Sequence, residues 1–426
     1  MTPRRPRLAF WFRYGSADHA ELFHALPRII ERLSAECDVH YFSPRAPKPP
    51  PESIARRATM HFMPWSVDRT SNRDKIVKTL LWLAAMPALA LRCRTMGMDA
   101  VWIDETVPLT VPMALLFYGR NTAATVVDFF PEIYLGRYRA LRPLVRLLRA
   151  IEVAAWRRLP LIFTRAASTR RYLVGLGLDP ERVRHVCDPC DFGVYHPCDK
   201  AEARRRFGYG PRDLVLVHHG ILHPNKGNDR VIRALAELRP QCPALQFLLV
   251  GDGPEMPRLR ALAAELRVQD MVRFTGWLQD MSDVNLALNA ADIGLVMRIG
   301  MPSDHFHSTG ALVHSLACGL PVLAARLAGI ADIAPEGSAA LLFDPSDMEE
   351  FKAKLLRLAA EPETRRALGA QALRLAGEHF DLDKVVERTV APLLDLVCGR
   401  AAVSRPGADG AHSNHRPGPS PAAPRP

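Results

Sequence analysis

The sequence predicts an α/β protein built from two parallel β-sheets with helices on both faces. Three apolar runs in the second half, at 214–218, 247–250 and 322–325, have the length of buried strands and adjoin glycine-containing turns and helical patterns. In the first half, runs such as 8–12 and 161–164 alternate in the same way with helical stretches, of which 19–36 is one. Strands that alternate with helices are typical of parallel sheets.

Length and composition predict two domains. With 426 residues, of which 48% are hydrophobic and 24% charged, the chain can bury two ordinary cores. We expect a first domain at 1–183, a linker at 184–200, a second domain at 201–381 and a helix at 382–400 that returns to the first domain. The remaining segment, 401–426, is rich in Pro, Gly, Ser and Ala and is predicted to be a disordered tail.

The segment 310–321, G-A-L-V-H-S-L-A-C-G-L-P, predicts a short helix that ends at Gly319. Ser308, Thr309 and Gly310 stand where this helix begins. The backbone N–H groups of a helix start are free of intrahelical partners, and the helix dipole is positive there. The start of this helix is therefore a candidate anion site.

A second candidate element is the loop 220–227, G-I-L-H-P-N-K-G, which follows the strand 214–218. It brings Lys226 to the carboxyl edge of a parallel sheet, where open α/β folds place their ligands. Its spacing is not that of a P-loop. The next strand, 247–250, runs into another turn that begins at Gly251. We predict that Lys226 contacts phosphate, the alternative being a solvated charge at a helix start.

The order of these motifs resembles the C-terminal half of the GT-B sugar-nucleotide glycosyltransferases of the large retaining group, family 4 or glycosyl transferases group 1. The motifs are G-I-L-H-P-N-K-G, L-V-G-D-G-P, V-R-F-T-G-W-L, A-D-I-G-L-V-M and H-S-L-A-C-G-L-P-V, and the resemblance covers 213–380. More loosely, 163–183 resembles the end of the family's N-terminal domain, and 126–132 resembles a loop that reaches its cleft. The resemblance implies two Rossmann-like domains that face each other across a cleft.

The chain departs from the family pattern at three positions. Ile221 stands where the family usually has an arginine, which leaves Lys226 as the cation of that loop. Phe306 and His314 stand where the family has a pair of glutamates, the second of which typically holds the nucleotide ribose. His314 retains the capacity for one such hydrogen bond. These departures leave the identity of the donor open.

Site residues follow from the resemblance, position by position. The catalytic candidates are Asp128, Lys226 and His19; for Asp128 the alternative is loop capping, and for His19 a structural role at a helix start. The donor-binding set comprises Gly15, Gly220, Lys226, Gly251, Gly276, Trp277, Ser308, Thr309, Gly310 and His314. By the same resemblance, the backbone around Gly276 and Trp277 contacts the nucleotide base.

The activity that the resemblance implies is transfer of a sugar from a nucleotide-sugar to a glycan or lipid-linked acceptor. Retention of configuration is implied as well, within bacterial surface polysaccharide, exopolysaccharide or glycoconjugate biosynthesis. No cofactor and no essential metal are expected. Two alternatives stay open: a non-catalytic GT-B-like binding module, which the missing arginine and glutamates favour, and a GT-B nucleotide-sugar epimerase.

The net charge of +11 lies entirely in the first half of the chain. Residues 1–200 hold 30 basic and 19 acidic residues, and the remaining 226 residues hold 26 of each. Within that half, 137–158 mixes arginines with an apolar helical stripe, which indicates contact with an anionic membrane surface. The alternative is a helix that packs its stripe inward and solvates its arginines. No nucleic-acid-binding motif is present, so nucleic acid is not an expected partner.

Eight cysteines without a disulfide-like spacing indicate a reduced, cytosolic compartment. Cys187 and Cys190 form a C-x-x-C that predicts a turn, zinc binding being the alternative. Six histidines between 218 and 314 lack the spacing of a shared metal site. The apolar run 80–91 is shorter than the roughly 20 residues of a membrane span and predicts a buried helix, the alternative being a helix that dips into a membrane interface. We therefore expect a cytoplasmic protein, peripheral at the inner face of the membrane if the basic segment binds lipid.

Overall fold

The computed structural model describes residues 4–15, 17, 23–46, 48–68, 71–104, 107–119, 121–127, 139–306 and 309–399. The predictions for His19, Asp128, Ser308 and the tail 401–426 concern residues outside these ranges.

The N-terminal domain is built on a parallel sheet whose seven described strands have the order β3-β2-β1-β4-β5-β6-β7. The strands are β1 Arg7–Trp11, β2 Asp38–Arg45, β3 Ala58–Ser66, β4 Ala100–Ile103, β5 Thr122–Val126, β6 Leu161–Thr164 and β7 Val183–His185. The helices between them are α1 Leu26–Glu36, α2 Glu52–Ala55, α3 Asn72–Thr95, α4 Thr110–Phe117, α5 Arg142–Trp156 and α6 Ala167–Gly175.

Successive side chains of β1 point into two different cores, one on each face of the sheet, as the period of two in a strand requires. Phe10 belongs to the cluster that contains Ile29 of α1, whereas Trp11 belongs to the cluster that contains Trp82 of α3. Helices therefore cover both faces of the sheet. All four residues of β4 and the Asp104 that follows it are buried, which makes β4 a central strand.

The C-terminal domain holds a second parallel sheet, of six described strands in the order β10-β9-β8-β11-β12-β13. These are β8 Leu214–His219, β9 Leu245–Val250, β10 Val272–Gly276, β11 Ile293–Val296, β12 Val322–Ala325 and β13 Ala340–Phe343. Its helices are α7 Lys200–Phe207, α8 Asn228–Leu238, α9 Met256–Glu265, α10 Met281–Ala290, α11 Gly310–Ala317, α12 Ala328–Ala331, α13 Met348–Ala360 and α14 Pro362–His379.

Two chain segments connect the domains: residues 186–199, between β7 and α7, and the segment around 380 that leads into the last helix. The last described helix, α15 Leu382–Val397, packs against α1 of the N-terminal domain, and Arg32 pairs with Glu387 at 3.3 Å. Beside it, the Cys190 backbone N–H donates to the Phe380 carbonyl at 2.8 Å. The predicted C-x-x-C thus lies where the two crossing segments meet.

Two predicted helices differ from the structure at their limits. The pattern 19–36 predicts one helix, but residues 23–25 are not helical and α1 begins at Leu26. Pro27 explains this start, because proline fits the first helical turn and cannot continue an earlier one. Within the predicted segment 137–158, the helix α5 covers Arg142–Trp156 and likewise has a proline in its first turn.

The prediction of a short buried helix at 80–91 is wrong. The run belongs to α3, which has 24 residues, because Ser71 caps its start and the helix continues to Thr95 on both sides of the apolar run. Its inner face packs against the sheet through Trp82 and Met86, but only 28% of its apolar window is buried. Among the described residues it is the one helix long and apolar enough to cross a membrane.

Candidate functional site

The C-terminal sheet has a switch point between β8 and β11. From β8 the chain continues to its neighbour β9 on one side, whereas β11 lies on the other side. The loops that leave the carboxyl ends of these two strands therefore diverge and leave a crevice, the place where open α/β sheets bind ligands.

Backbone hydrogen bonds join the loops that follow β8, β9 and β10. The Gly220 N–H donates to the Val250 carbonyl at 2.9 Å, and the Gly251 N–H donates to the Gly276 carbonyl at 3.0 Å. Gly251 has a φ of 130°, and a Cβ there would lie 2.2 Å from the Gly220 oxygen. Only glycine permits this approach. The three loops are consequently joined side by side along the carboxyl edge of the sheet, and we call them the glycine rim. Trp277, which follows Gly276, is exposed.

Lys226 ends a 3-10 turn at Pro224–Lys226 and precedes the helix α8. Its side chain is half-buried, and burial together with the nearby Arg298 lowers the pKa of Lys226 to about 8, although Asp304 acts in the opposite direction. The ammonium group thus stands in a site with excess positive charge. An anionic ligand would relieve this excess.

Arg298 and Asp304 hold the loop between β11 and α11 against the Lys226 loop. Arg298 Nη1 donates to Asp304 Oδ1 at 2.7 Å, and Asp304 is buried. The Ile299 N–H donates to the Asn225 carbonyl at 3.1 Å. The loop that carries Lys226 and the loop that leads to α11 are therefore fixed to each other.

The helix α11 begins at Gly310, as the sequence predicts, and Thr309 is its N-cap. The Thr309 hydroxyl accepts a hydrogen bond from the Leu312 N–H at 3.2 Å. This cap satisfies one amide of the first turn, and the other amides at a helix start have no intrahelical acceptor. The dipole of the helix adds a partial positive charge at this end.

Three stacked rings connect α11 to the end of β8. His219 Nε2 lies 3.1 Å from His314 Nδ1, and the His314 ring stacks on Tyr195 with 3.8 Å between centroids. Burial lowers the pKa of His219 to about 3 and the pKa of His314 well below its usual value. Both imidazoles are therefore neutral at physiological pH. If His219 Nε2 carries the shared hydrogen, His314 Nε2 is the remaining N–H donor of the pair.

The N-terminal domain presents an ion pair at the carboxyl edge of its own sheet. Asp104 follows β4 and Arg165 follows β6, and Arg165 Nη2 lies 3.3 Å from Asp104 Oδ2. The Arg165 guanidinium also lies 3.4 Å from the centre of the Phe23 ring. Both members of the pair are largely buried. The carboxyl edge of the N-terminal sheet therefore carries a fixed ion pair.

The two domains contact each other beside these sites. The Thr169 hydroxyl on α6 donates to the Phe306 carbonyl at 3.3 Å, and Tyr172 meets Phe306 edge-on at 5.2 Å. Arg171 of α6 pairs with Asp332 at 2.7 Å. The carboxyl edges of the two sheets thus adjoin one interdomain cleft.

Most of the predicted donor-binding residues lie at one edge of the C-terminal sheet. They are Gly220, Lys226, Gly251, Gly276, Trp277, Thr309, Gly310 and His314. Gly15 lies in the other domain, after β1, and is buried. Asp104 and Arg165 were not predicted as site residues, and His219 was considered only as one of six histidines for a metal. Each of the three follows or ends an apolar strand at its carboxyl end, and this position was the available signal.

Within the ranges that the structure describes, no three His, Cys, Asp or Glu side chains are grouped as a metal site requires. Both thiols of the C-x-x-C are buried, and Cys187 Sγ donates to the His379 carbonyl at 2.9 Å.

Residues 213–361 match the family described as "Glycosyl transferases group 1". This part of the chain is therefore similar to the group 1 glycosyltransferases. It contains the Lys226 loop, the glycine rim and α11. The resemblance stated from the motifs is thereby confirmed.

Curated relatives carry related names. A D-inositol 3-phosphate glycosyltransferase of Thermomonospora curvata is 33% identical over 304 residues, which cover 66% of this chain and 65% of the relative. A GDP-mannose-dependent alpha-(1-6)-phosphatidylinositol monomannoside mannosyltransferase of Mycolicibacterium smegmatis is 29% identical, covering 48% of this chain and 52% of that protein. The chain thus spans about half to just under two thirds of the length of these relatives.

Solved structures confirm the two-domain GT-B fold. The sucrose-phosphate synthase of Thermosynechococcus elongatus superimposes with a TM-score of 0.70 at 18% identity, over 93% of this chain and all of that one. Anabaena Alr3699/HepE in complex with UDP-glucose superimposes with a TM-score of 0.66 at 17% identity, over 92% of this chain and 99% of that one. The fold prediction of two Rossmann-like domains facing each other across a cleft is therefore correct.

Proposed function

We propose that this protein transfers a sugar from a nucleotide-sugar donor to a glycan or lipid-linked acceptor. The observation that carries the proposal is the junction of the Lys226 loop with the start of α11 at the switch point of a domain similar to the group 1 glycosyltransferases. A half-buried cation beside a helix N-terminus is suited to a diphosphate. The UDP complexes of HepE support a nucleotide as the ligand of this fold.

The proposed reaction breaks the bond between the anomeric carbon and the leaving phosphate oxygen. The acceptor oxygen forms a new bond to the same face of that carbon, and its proton passes to the leaving diphosphate. Lys226 and the first-turn amides of α11 stabilise the charge that develops on the diphosphate, a preorganised electrostatic arrangement. His314 is assigned a hydrogen bond to the donor ribose, and Gly276 and Trp277 contacts to the base.

The proposal assigns neither a cofactor nor a metal to this step. Addition of EDTA is therefore expected to leave turnover unchanged, and loss of activity that returns with a divalent cation would contradict this part of the proposal.

The acceptor is proposed to enter from the N-terminal domain. Asp104 and Arg165 lie on that side, as does the carboxyl end of β5, after which the predicted catalytic Asp128 follows in the sequence. The names of the relatives include inositol 3-phosphate and a phosphatidylinositol mannoside, which are phosphate-bearing molecules. An acceptor of this kind, presented at the inner face of a membrane, fits the excess positive charge of residues 1–200.

The direct test is turnover with UDP-, GDP- and ADP-sugars, each with inositol phosphate and lipid-linked acceptors. Net transfer with release of nucleoside diphosphate supports the proposal, and retention is read from the anomeric configuration of the product. Interconversion of the donor without an acceptor would indicate the epimerase instead. Binding without either reaction would indicate the binding module.

The pKa of Lys226 predicts an alkaline limit of activity. Because Lys226 is protonated below a pKa of about 8, kcat/KM for the donor is expected to fall as pH rises through that value. In Lys226→Arg the guanidinium stays charged, so the alkaline limb is expected to vanish even if the maximal rate is lower. An unchanged limb in this variant would assign the titration to another group.

Asp304→Asn is the matched control for this titration. Asp304 raises the pKa of Lys226, so its neutralisation is expected to move the alkaline limb to lower pH without abolishing it. The two variants thus change the same limb in different ways, which a general loss of folding would not produce.

Arginines of α5 are predicted to contribute a salt-sensitive attraction to anionic lipid. Arg142 and Arg146 are exposed on the outer side of the helix. Neutralising both to Gln is expected to weaken binding to anionic vesicles at low salt, by about 1 kcal/mol for each residue near the surface. Vesicle co-sedimentation measures this effect. Equal binding to neutral and anionic vesicles would favour a solvated helix.

A further inference from the structure

The outward face of α3 is apolar over about four turns. Leu80 and Leu91 are 62% and 61% exposed, and Ile76 is exposed to a similar degree. Ala84 and Ala88 lie between them at helical spacing and are exposed as well. A surface helix of a water-soluble domain ordinarily carries polar residues on this face. The stripe therefore needs a partner that is not water.

The opposite face of α3 prevents the helix from crossing a membrane while the domain is folded. Trp82, Met86 and Ala90 are buried in the core beneath the sheet. The helix also connects β3 to β4 of one parallel sheet, so both of its ends are tied to that sheet. Its apolar stripe can consequently lie in a membrane interface, parallel to the surface, but cannot span the bilayer.

Neighbouring helices extend the apolar surface. The helix α4 packs against both α3 and α5, so the three helices form one layer over the sheet. On α4, Leu116 is 75% exposed, and on α5, Leu144 and Leu147 are exposed. Exposed apolar side chains on adjacent helices are typical of an interaction site. We call these three helices, Asn72–Thr95, Thr110–Phe117 and Arg142–Trp156, the outer layer.

The charges of the outer layer select its partner. The three helices contain eight basic and two acidic residues. Of the acidic residues, Asp74 lies 4.0 Å from Lys78, and Glu152 is buried. Basic residues stand at both ends of the α3 stripe, where Arg73 precedes it and Arg92 follows it. An apolar stripe between basic ends complements an anionic lipid surface.

We propose that the outer layer docks on an anionic bilayer, with the stripe of α3 inserted among the acyl chains and the basic residues at the head groups. A second copy of this chain is disfavoured as the occupant, because two such surfaces would place like charges together. Insertion of the α3 stripe contributes apolar binding energy that salt does not screen. The arginines of α5 contribute an electrostatic attraction that salt does screen.

This orientation also positions the cleft. Each helix of the outer layer follows a strand, so the starts of α3, α4 and α5 lie at the carboxyl edge of the N-terminal sheet. That edge faces the cleft, with Asp104 and Arg165. A docked outer layer therefore brings the acceptor side of the cleft close to the head groups.

The experiment compares vesicles of phosphatidylcholine alone with vesicles that contain phosphatidylglycerol, at low salt and at about 1 M NaCl, where the Debye length is about 3 Å. Wild-type protein is expected to co-sediment with the anionic vesicles and to keep part of this binding at high salt. The variant Leu80→Asp/Leu91→Asp is expected to lose about tenfold in partitioning under both conditions. Its melting temperature checks that it remains folded.

Leu373→Asp is the matched control, because Leu373 is 42% exposed on α14 of the other domain. It is expected to bind vesicles like the wild type. Failure of the wild-type protein to bind anionic vesicles, or unchanged binding by the α3 variant, would overturn the proposal. So would a dimer of the wild-type chain that the α3 substitutions convert to a monomer. None of these readouts depends on sugar transfer, so the docking and the proposed function can fail separately.

Discussion

Lys226→Ala is expected to lower kcat/KM by roughly 10²–10³, the loss typical of removing one preorganised donor to a developing charge. Lys226 lies at the junction of the β8 loop with the loop before α11, and Ile221 occupies the position where the related family usually supplies an arginine. The remaining side-chain cation therefore carries a larger share of the stabilisation. Steady-state kinetics with the donor found in the turnover screen measure the effect.

The same variant is expected to keep its stability at pH 7. Burial lowers the pKa of Lys226 to about 8, below that of a lysine in the unfolded chain, so protonated Lys226 opposes folding at every pH below about 8. Alanine removes this cost. The melting temperature should therefore equal or slightly exceed that of the wild type.

Two further variants test whether the positive charge of Lys226 accounts for its contribution to kcat/KM. Ile221 is 58% exposed, so Ile221→Arg requires no repacking and is expected to restore part of the activity lost in Lys226→Ala. Lys352→Ala serves as the control, because Lys352 lies on α13 in the same domain and pairs with Glu237 and Glu349. Near-normal transfer by Lys226→Ala would contradict the assignment and direct attention to Arg298.

Gly251→Ala is expected to lower the free energy of unfolding by about 3–5 kcal/mol. The φ of Gly251 is 130°, which an alanine rarely adopts, and the added Cβ would lie 2.2 Å from the carbonyl oxygen of Gly220. Because the neighbouring atom is backbone, the loops after β8 and β9 must separate. Denaturant unfolding measures the loss.

Gly276→Ala is the control for this strain. Gly276 also has a positive φ, of 69°, but a Cβ there meets nothing within 4 Å. Its expected cost is therefore only the left-handed backbone, about 1–2 kcal/mol. Equal losses at the two positions would show that backbone conformation, and not the close approach of the loops, determines the requirement for glycine.

The sequence predicted the C-terminal domain closely because the strands predicted there are continuous apolar runs that adjoin glycine-containing turns. The predicted strand 322–325 coincides with β12, and α11 begins at Gly310, as predicted. Breakers of this kind fix the ends of elements by local geometry. The order of strands and helices along the chain was also enough to predict that Lys226 and Gly310 lie at one edge of the sheet.

Other features depend on tertiary packing and could not be read from the pattern. The strand β3 is an edge strand with an exposed outer side and a proline, so it lacks the apolar run of a central strand. The exposed stripe of α3 has the composition of a buried helix, and composition cannot tell which face the sheet covers. The ring stack of His219, His314 and Tyr195 joins residues far apart in the chain.

The most direct test of the central claim, that the Lys226 loop and α11 hold a nucleotide diphosphate, is thermal unfolding of the wild type and Lys226→Ala with UDP, GDP and ADP. One nucleotide is expected to stabilise the wild type, by about 2.7 kcal/mol when its free concentration is 100 times Kd. At the same concentration Lys226→Ala should gain much less. Equal stabilisation of the two proteins, or none of the wild type by any of the three nucleotides, would contradict the claim.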